Sequence, residues 1–365
     1  MRDAQRRVAT GDPVKATLSD KVRFLSNPGS YPHCPDSVQV VETHMSWVFL
    51  AGDRAYKFKK PMALEFLDHR SLAARHRNCQ VEYRDNLALA PDTYLGVVAL
   101  RQAPDGALSL EKAGVPVEWL VVMKRLDRDL TLQALLKRGQ PPRGAIEAIA
   151  RLLIAHYDRS RVDAQAGAVY LTHLATECAL NRRILEPDRF GLDRASTLWA
   201  LDALDRRFSS ARPEIEARIG AGLIVDGHGD LRPEHIWLGD RLQIFDRLEF
   251  DPRMRVIDPF DEFNYLGLEC AIARAPWVRP ALLTLLERHW SHAPSPALME
   301  FYTTFRLVLR ARICLAHLLD PEPMTPELWP SQARGYLACI PSGHPPPAQL
   351  LALDRYQRGT QPMAP

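Results

Sequence analysis

Lysine is scarce in this chain. Only eight of the 47 basic residues are lysine, at positions 15, 21, 57, 59, 60, 112, 124 and 137. Arginine serves the ordinary solvated surface, so three lysines within four residues mark a place where a compact ammonium matters, as it does against phosphate. Dense basic runs are absent too, and a net charge of +3 is too small to argue for nucleic acid. The six cysteines (Cys34, Cys79, Cys178, Cys270, Cys314, Cys339) form no CxxC pair. That excludes a recognisable disulfide framework or zinc site and makes a reducing compartment the expectation. No apolar run approaches the roughly 18 residues of a membrane helix. The opening MRDAQRRVAT lacks the apolar core of a signal peptide. A cytoplasmic protein acting on neither membrane nor nucleic acid is expected. Repeats at solenoid periods are also missing.

What remains is an ordinary globular composition, 46% hydrophobic and 25% charged, in 365 residues. That length suits two domains or one domain with two lobes. Residues 1 to 16 carry no pattern and are expected to be mobile. Leu18 to Asn27 reads as a short helix starting at Ser19 or Asp20. Strand-like runs follow at Val38 to Glu42, Ser46 to Leu50 and Arg54 to Lys59, the last two joined by the tight-turn signal Ala51-Gly52-Asp53. His69 to Ala90 is a long amphipathic helix stopped by Pro91, and TYLGVVALRQ and VEWLVVMK are two further strands around Asp105-Gly106. After Lys124 helices dominate, interrupted by one small hairpin. A strand-rich first third with one helix, followed by a helical remainder, predicts an α+β fold with two unequal lobes. The expected divisions are an N-terminal arm and short helix (1–29), an N-lobe (30–123) and a helical C-lobe carrying the hairpin (124–365).

The hairpin is bracketed by acids. HGDLRPEH (228–235) precedes it and IFDRLEF (244–250) follows. Phosphoryl transfer from ATP needs a carboxylate to orient a hydroxyl, oxygen ligands for a metal ion and a cation on the phosphates. The chain offers them in order: Lys57 in the strand AYKFKK, Glu82 in the following helix, Asp230 in HGD and Asp246 at the end of a strand. The segment Val121 to Leu126, with Met123, could supply backbone to an adenine.

These motifs carry a resemblance. HGDLRPEHIWL, IFDRLEF and VIDPFDEF resemble the catalytic and metal-binding segments of the aminoglycoside phosphotransferase-like family, within the protein-kinase-like superfamily. ETHMSWVFLAGDRAYKFKKP, FLDHRSLAAR, LAPDTYLGVV and IDPFDEFNYLGLEC are similar to an uncharacterised bacterial branch of it, often fused to a P-loop ATP-binding domain. No GxxxxGK[ST] occurs here, so the chain looks like the kinase-like half. The resemblance, over about residues 18 to 275, implies a two-lobed protein-kinase-like fold: a small antiparallel sheet, then a mainly helical lobe. It implies ATP and Mg2+ (or Mn2+) as cofactors and a small hydroxylated molecule as acceptor. Asp230 would be the catalytic base and His228 would buttress its loop. Asp246 would hold the metal. Lys57 would reach the phosphates and Glu82 would pair with it, while Ser46 would lie where relatives cover the phosphates. Lys59 shares a strand face with Lys57, so either lysine fits. Asp258 and Asp261 match a second acidic motif read mainly as structural.

One position departs from the pattern. Kinases carry a metal-binding Asn five residues after the catalytic Asp; here it is His235. Imidazole suits Mn2+ or Zn2+ better than Mg2+, which leaves three outcomes: a single-metal enzyme, a Mn2+ preference, or nucleotide binding without turnover. The alternative function is therefore a non-catalytic nucleotide-binding module. A metallohydrolase would need further His and Asp motifs at ligand spacing. Arg306, Arg310 and Arg312 could face an acidic substrate but read first as solvated surface, and Trp47, Trp237 and Tyr265 read as core packing.

Overall fold

The computed structural model describes residues 15–64, 67–139, 141–319 and 326–340. Residues 1–14 of the arm expected to be mobile lie outside them. The chain divides into two compact units, the first ending at Leu126 and the second beginning at Asp127.

The first unit opens with helix α1 (Leu18–Leu25), whose cap is Thr17 rather than Ser19 or Asp20. The Thr17 hydroxyl accepts the Asp20 N–H at 3.2 Å and the Asp20 carboxylate accepts the Thr17 N–H at 3.0 Å. This reciprocal box satisfies two of the helix's orphan donors and so fixes its start. Strands β1 (Val38–Glu42), β2 (Ser46–Ala51) and β3 (Arg54–Lys59) follow, then a small ribbon of β4 (Ala63–Leu64) and β5 (Leu67–Asp68). Helix α2 (Leu72–Asn86) is capped by the Ser71 side chain. Strands β6 (Tyr94–Gln102), β7 (Leu108–Ser109) and β8 (Val115–Lys124) complete an antiparallel sheet ordered β1-β2-β3-β8-β6-β7. The β2–β3 turn sits on Gly52, at φ 61°, the left-handed backbone that this turn requires.

Alternation along β3 decides what each face does. Tyr56 and Phe58 join Leu25, Phe49, Leu100, Leu120 and Val122 in the core of this unit. Lys57 and Lys59, one residue out of phase, point to the other face. Glu118 of β8 is fully buried and ties two helices to the sheet. It receives Arg75 of α2 at 2.8 and 2.9 Å and Lys21 of α1 at 2.9 Å. Three charges buried together satisfy each other, whereas any one alone would be costly.

The second unit contains α3 (Leu132–Arg138), α4 (Arg143–Arg159), α5 (Ala164–Leu185), α6 (Arg194–Gly220), α7 (Pro259–Ile272), α8 (Val278–His289), α9 (Pro296–Ala316) and α10 (Trp329–Ala338). Two short ribbons interrupt them: β9 (Val225–Asp226) with β12 (Val256–Ile257), and β10 (Ile236–Trp237) with β11 (Gln243–Ile244). Helix α7 is buried along its whole length, as a helix at the centre of a unit must be. Its Asp258 caps it and is bound by Arg218 and by the Tyr302 hydroxyl. Asp261 receives Arg306 at 2.8 and 2.7 Å.

The arginines of α9 are therefore not solvated surface. Arg306 pairs with Asp261, Arg310 with Glu269 at 3.0 Å, and Arg312 with Glu177. Helix α9 is enclosed nearly all round, and an arginine in such a helix must bring its carboxylate with it. Five of the six cysteines are buried, Cys34 is exposed, and all six are free thiols. Among the described residues no helix is long and apolar enough to cross a membrane.

Candidate active site

In the first unit the two lysines of β3 converge on one carboxylate. Lys57 Nζ donates to Glu82 Oε1 at 2.9 Å, and Lys59 Nζ pairs with Glu82 Oε2. Glu82 comes from α2 and is fully buried. Burial separates the lysines: the Lys57 side chain is 14% exposed and that of Lys59 1%. Ser46 opens β2 and is buried. Its N–H donates to the Thr43 hydroxyl at 3.0 Å, and its carbonyl accepts the Thr43 N–H at 2.9 Å. Met123 is half-buried in β8, opposite Ala55 and Tyr94.

In the second unit the loop from Gly227 to His235 is gripped by α7. The buried Glu262 carboxylate accepts the N–H groups of His228 and Gly229 at 3.0 and 2.6 Å and the Tyr157 hydroxyl at 2.7 Å. A β-carbon at Gly227 would lie 2.6 Å from that carboxylate, so only glycine permits the approach. Gly229 has φ 88°, which turns the chain to present Asp230. Arg247 closes the loop from the opposite side, donating to the carbonyls of Gly227 and Asp226, each at 2.7 Å. Arg247 and Arg255 share the Asp226 carboxylate. Burial resists ionisation of Asp226, but the two guanidinium groups outweigh it and hold its carboxyl below the usual range.

His228 is fully buried. Its Nε2–H donates to the Phe245 carbonyl at 2.9 Å, and Nδ1 accepts the Asp230 N–H at 3.3 Å. Burial first, with His235 adding to it, pushes its pKa down to about 4. Both ring nitrogens are committed to backbone, so the residue joins the HGD loop to the segment before Asp246.

Asp230 is one-third exposed. Arg232 Nη2 and Nε approach its Oδ2 at 3.0 and 3.2 Å, and the Tyr265 hydroxyl reaches Oδ1 at 3.3 Å. Arg232 also pairs with Glu234 at 2.6 Å. Burial opposes the Asp230 charge, but Arg232, His235 and Arg310 prevail and hold the carboxyl far below its ordinary value. It stays ionised throughout the neutral range. Tyr265 is thus more than core packing, and neither it nor Arg232 had a catalytic signal in the sequence. Arg232 stands inside the HGDLRPEH segment, and its position two residues after Asp230 was the available clue.

Asp246 follows β11. Its φ of 60° is left-handed backbone without a glycine, a conformation that costs on the order of 1 kcal/mol and gathers at functional sites. Its side chain is 42% exposed, and Oδ2 lies 3.7 Å from His235 Nε2. The His235 Nδ1–H donates to the Asp230 carbonyl at 2.8 Å. One imidazole therefore links the two acids that flank the ribbon. Among the described residues no three His, Cys, Asp or Glu side chains cluster as a metal site. The imidazole nitrogen and carboxylate fit a cation that takes its other ligands from phosphate and water, the usual way such ions accompany nucleotides.

No family model matches the chain. It is 32% identical over 295 residues to an uncharacterised protein of Mycobacterium tuberculosis, a match covering 78% of this chain. The chain spans about half the length of the curated relatives it matches, 56%. A solved choline/ethanolamine kinase family protein from Mesorhizobium loti aligns over 93% of this chain and all of its own, at 13% identity and a TM-score of 0.50. An aminoglycoside-3'-phosphotransferase of type VIII is 20% identical over 80% of this chain and 98% of its own, at a TM-score of 0.43. An antiparallel sheet carrying a lysine–glutamate pair, followed by a helical unit with its two acidic loops, is the protein-kinase-like fold, and this chain has it.

Proposed function

We propose that the chain transfers the γ-phosphoryl group of ATP to a hydroxyl of a small molecule. Asp230 accepts a hydrogen bond from that hydroxyl and orients it; its depressed pKa keeps the carboxylate free of a proton at neutral pH. Lys57, braced by Glu82, meets the phosphates, with Lys59 holding Glu82 in place. Ser46 and Met123 line the nucleotide. Asp246, with His235 beside it, would hold a divalent ion, whose charge would offset that of the phosphate oxygens. His228 and Glu262 position the loop and touch no substrate.

One observation carries this reading. Asp246 occupies a strained backbone state with its carboxylate open to solvent and facing an imidazole anchored on the Asp230 carbonyl. A packing residue has no need of that arrangement. The small-molecule class of acceptor is supported by the name of the solved choline/ethanolamine kinase family neighbour.

The test is ATP consumption by the purified chain against a library of hydroxylated metabolites, with Mg2+ and with Mn2+. Asp230→Ala is expected to abolish turnover and to keep the thermal stabilisation that nucleotide gives. Equal turnover in the two proteins refutes the assignment.

A second reading has its own support. Both Asp230 oxygens already have donors, Arg232 and Tyr265. A nucleotide-binding module without turnover would keep them so. It expects stabilisation by nucleotide and no ATP consumption with either ion.

A further inference from the structure

The hydrogen bond at His235 fixes more than a ring orientation. A carbonyl oxygen only accepts, so the contact between Nδ1 and the Asp230 carbonyl at 2.8 Å places the ring proton on Nδ1. In the neutral imidazole, Nε2 then carries the lone pair, and it is this atom that stands 3.7 Å from Asp246 Oδ2. Two acceptors turned toward each other at that spacing are reconciled by a proton or by a cation.

The ring has little freedom to turn away. It is buried, stacked on His228 with centroids 5.7 Å apart, and packed against Phe245 at 6.1 Å. The Phe245 N–H donates to the His235 carbonyl at 2.9 Å, one step beyond the Ile236–Ile244 pair of the ribbon. The register of that ribbon therefore sets His235 opposite Phe245, and Asp246 is the next residue along the chain. At 3.7 Å the nitrogen and the carboxylate oxygen would stand near enough to share one ion.

From this we propose that His235 Nε2 is a direct metal ligand beside Asp246, and that the site takes Mn2+ in preference to Mg2+. The inference rests on the reading above, which puts the ion at Asp246 and His235 beside a nucleotide, and adds to it the bond to Nε2 and the choice of ion. Mg2+ demands hard oxygen donors in near-ideal octahedral geometry, whereas Mn2+ tolerates an imidazole nitrogen among oxygen donors and the later divalent ions favour one. Replacing an oxygen donor by nitrogen at one of two protein positions shifts the choice of ion without altering the fold.

The experiment uses the full chain with Mn2+ as the probe, with and without a non-hydrolysable ATP analogue. Pulsed EPR of bound Mn2+ is expected to show coupling to a coordinated imidazole 14N, replaced by 15N coupling in protein labelled at histidine. Competition between the ions is expected to favour Mn2+ over Mg2+ by about tenfold or more. His235→Asn should remove the nitrogen coupling and lower that ratio about tenfold, with the melting temperature checked in parallel. Absence of nitrogen coupling in the wild-type protein overturns the inference and reduces His235 to an ion-pair partner of Asp246. An unchanged ion preference in folded His235→Asn overturns it as well. The labelling measurement needs no substitution, so it decides the question even where a variant fails to fold. Nitrogen coupling without ATP consumption sinks the phosphotransfer reading alone; ATP consumption with no coupling removes His235 as a ligand and leaves phosphotransfer standing.

Discussion

Glu262 and His228 are 34 residues apart in sequence, yet the buried Glu262 carboxylate accepts the His228 backbone N–H at 3.0 Å and the next N–H, that of Gly229, at 2.6 Å. One side chain of α7 thus sets the path of the loop that carries Asp230. Glu262→Ala leaves two buried N–H groups and the Tyr157 hydroxyl without an acceptor. The expected cost is about 3 kcal/mol of stability, read from chemical denaturation. Hydrogen exchange should rise at 228–230 before it rises elsewhere in α7.

The β3 lysines should separate by what each loses. Lys59 is the more deeply enclosed member of the pair on Glu82. Lys59→Ala is expected to destabilise the fold by about 3 kcal/mol, because it removes one partner of a buried charge. Lys57→Ala should cost less stability and raise the KM for ATP more. Melting curves alongside nucleotide titrations check both; the reverse pattern would make Lys59 the phosphate lysine.

Asp246 should trade stability against ion binding. At φ 60° a glycine is at ease where an aspartate is strained. Asp246→Gly is expected to hold or raise the melting temperature, by an amount equivalent to about 1 kcal/mol, while Mn2+ binding falls. Loss of stability together with unchanged binding would show the strain to be packing and nothing more.

The first unit should be acid-labile through His69. This residue is buried, and neither ring nitrogen has a hydrogen-bond partner among the described residues. Burial, then Lys59 and Arg75, push its pKa down from 6.5 to about 4. The folded chain resists protonation that the unfolded chain accepts, so stability is complete above pH 6.5. It falls as pH drops toward 4, by no more than about 3 kcal/mol. Denaturation midpoints from pH 7 to 4 measure the slope, and His69→Leu should flatten it.

Local pattern carried the elements far. Val38–Glu42 and Arg54–Lys59 match strands β1 and β3 at both ends, because period-two alternation and the Gly52 turn leave little choice of register. The helix read from His69 to Ala90 is shorter at both ends, running from Leu72 to Asn86, since capping by Ser71 sets its start and apolar spacing does not. The α9 arginines show where pattern stops. Charge on a helix reads as solvent until packing encloses it, and then every guanidinium needs a carboxylate from elsewhere: Asp261, Glu269 or Glu177.

The sequence by itself determined which chemical groups exist and in what order. Those were a lysine strand, a helix glutamate and two acids astride a ribbon, because residue types and short-range periodicity are local properties. Only the tertiary structure decided that Lys57 and Lys59 share Glu82, that Tyr265 and Arg232 occupy Asp230, and that His235 turns Nε2 toward Asp246. Each of those facts depends on where a second element lies in space, and hydrogen-bond direction and burial exist only once the chain has packed.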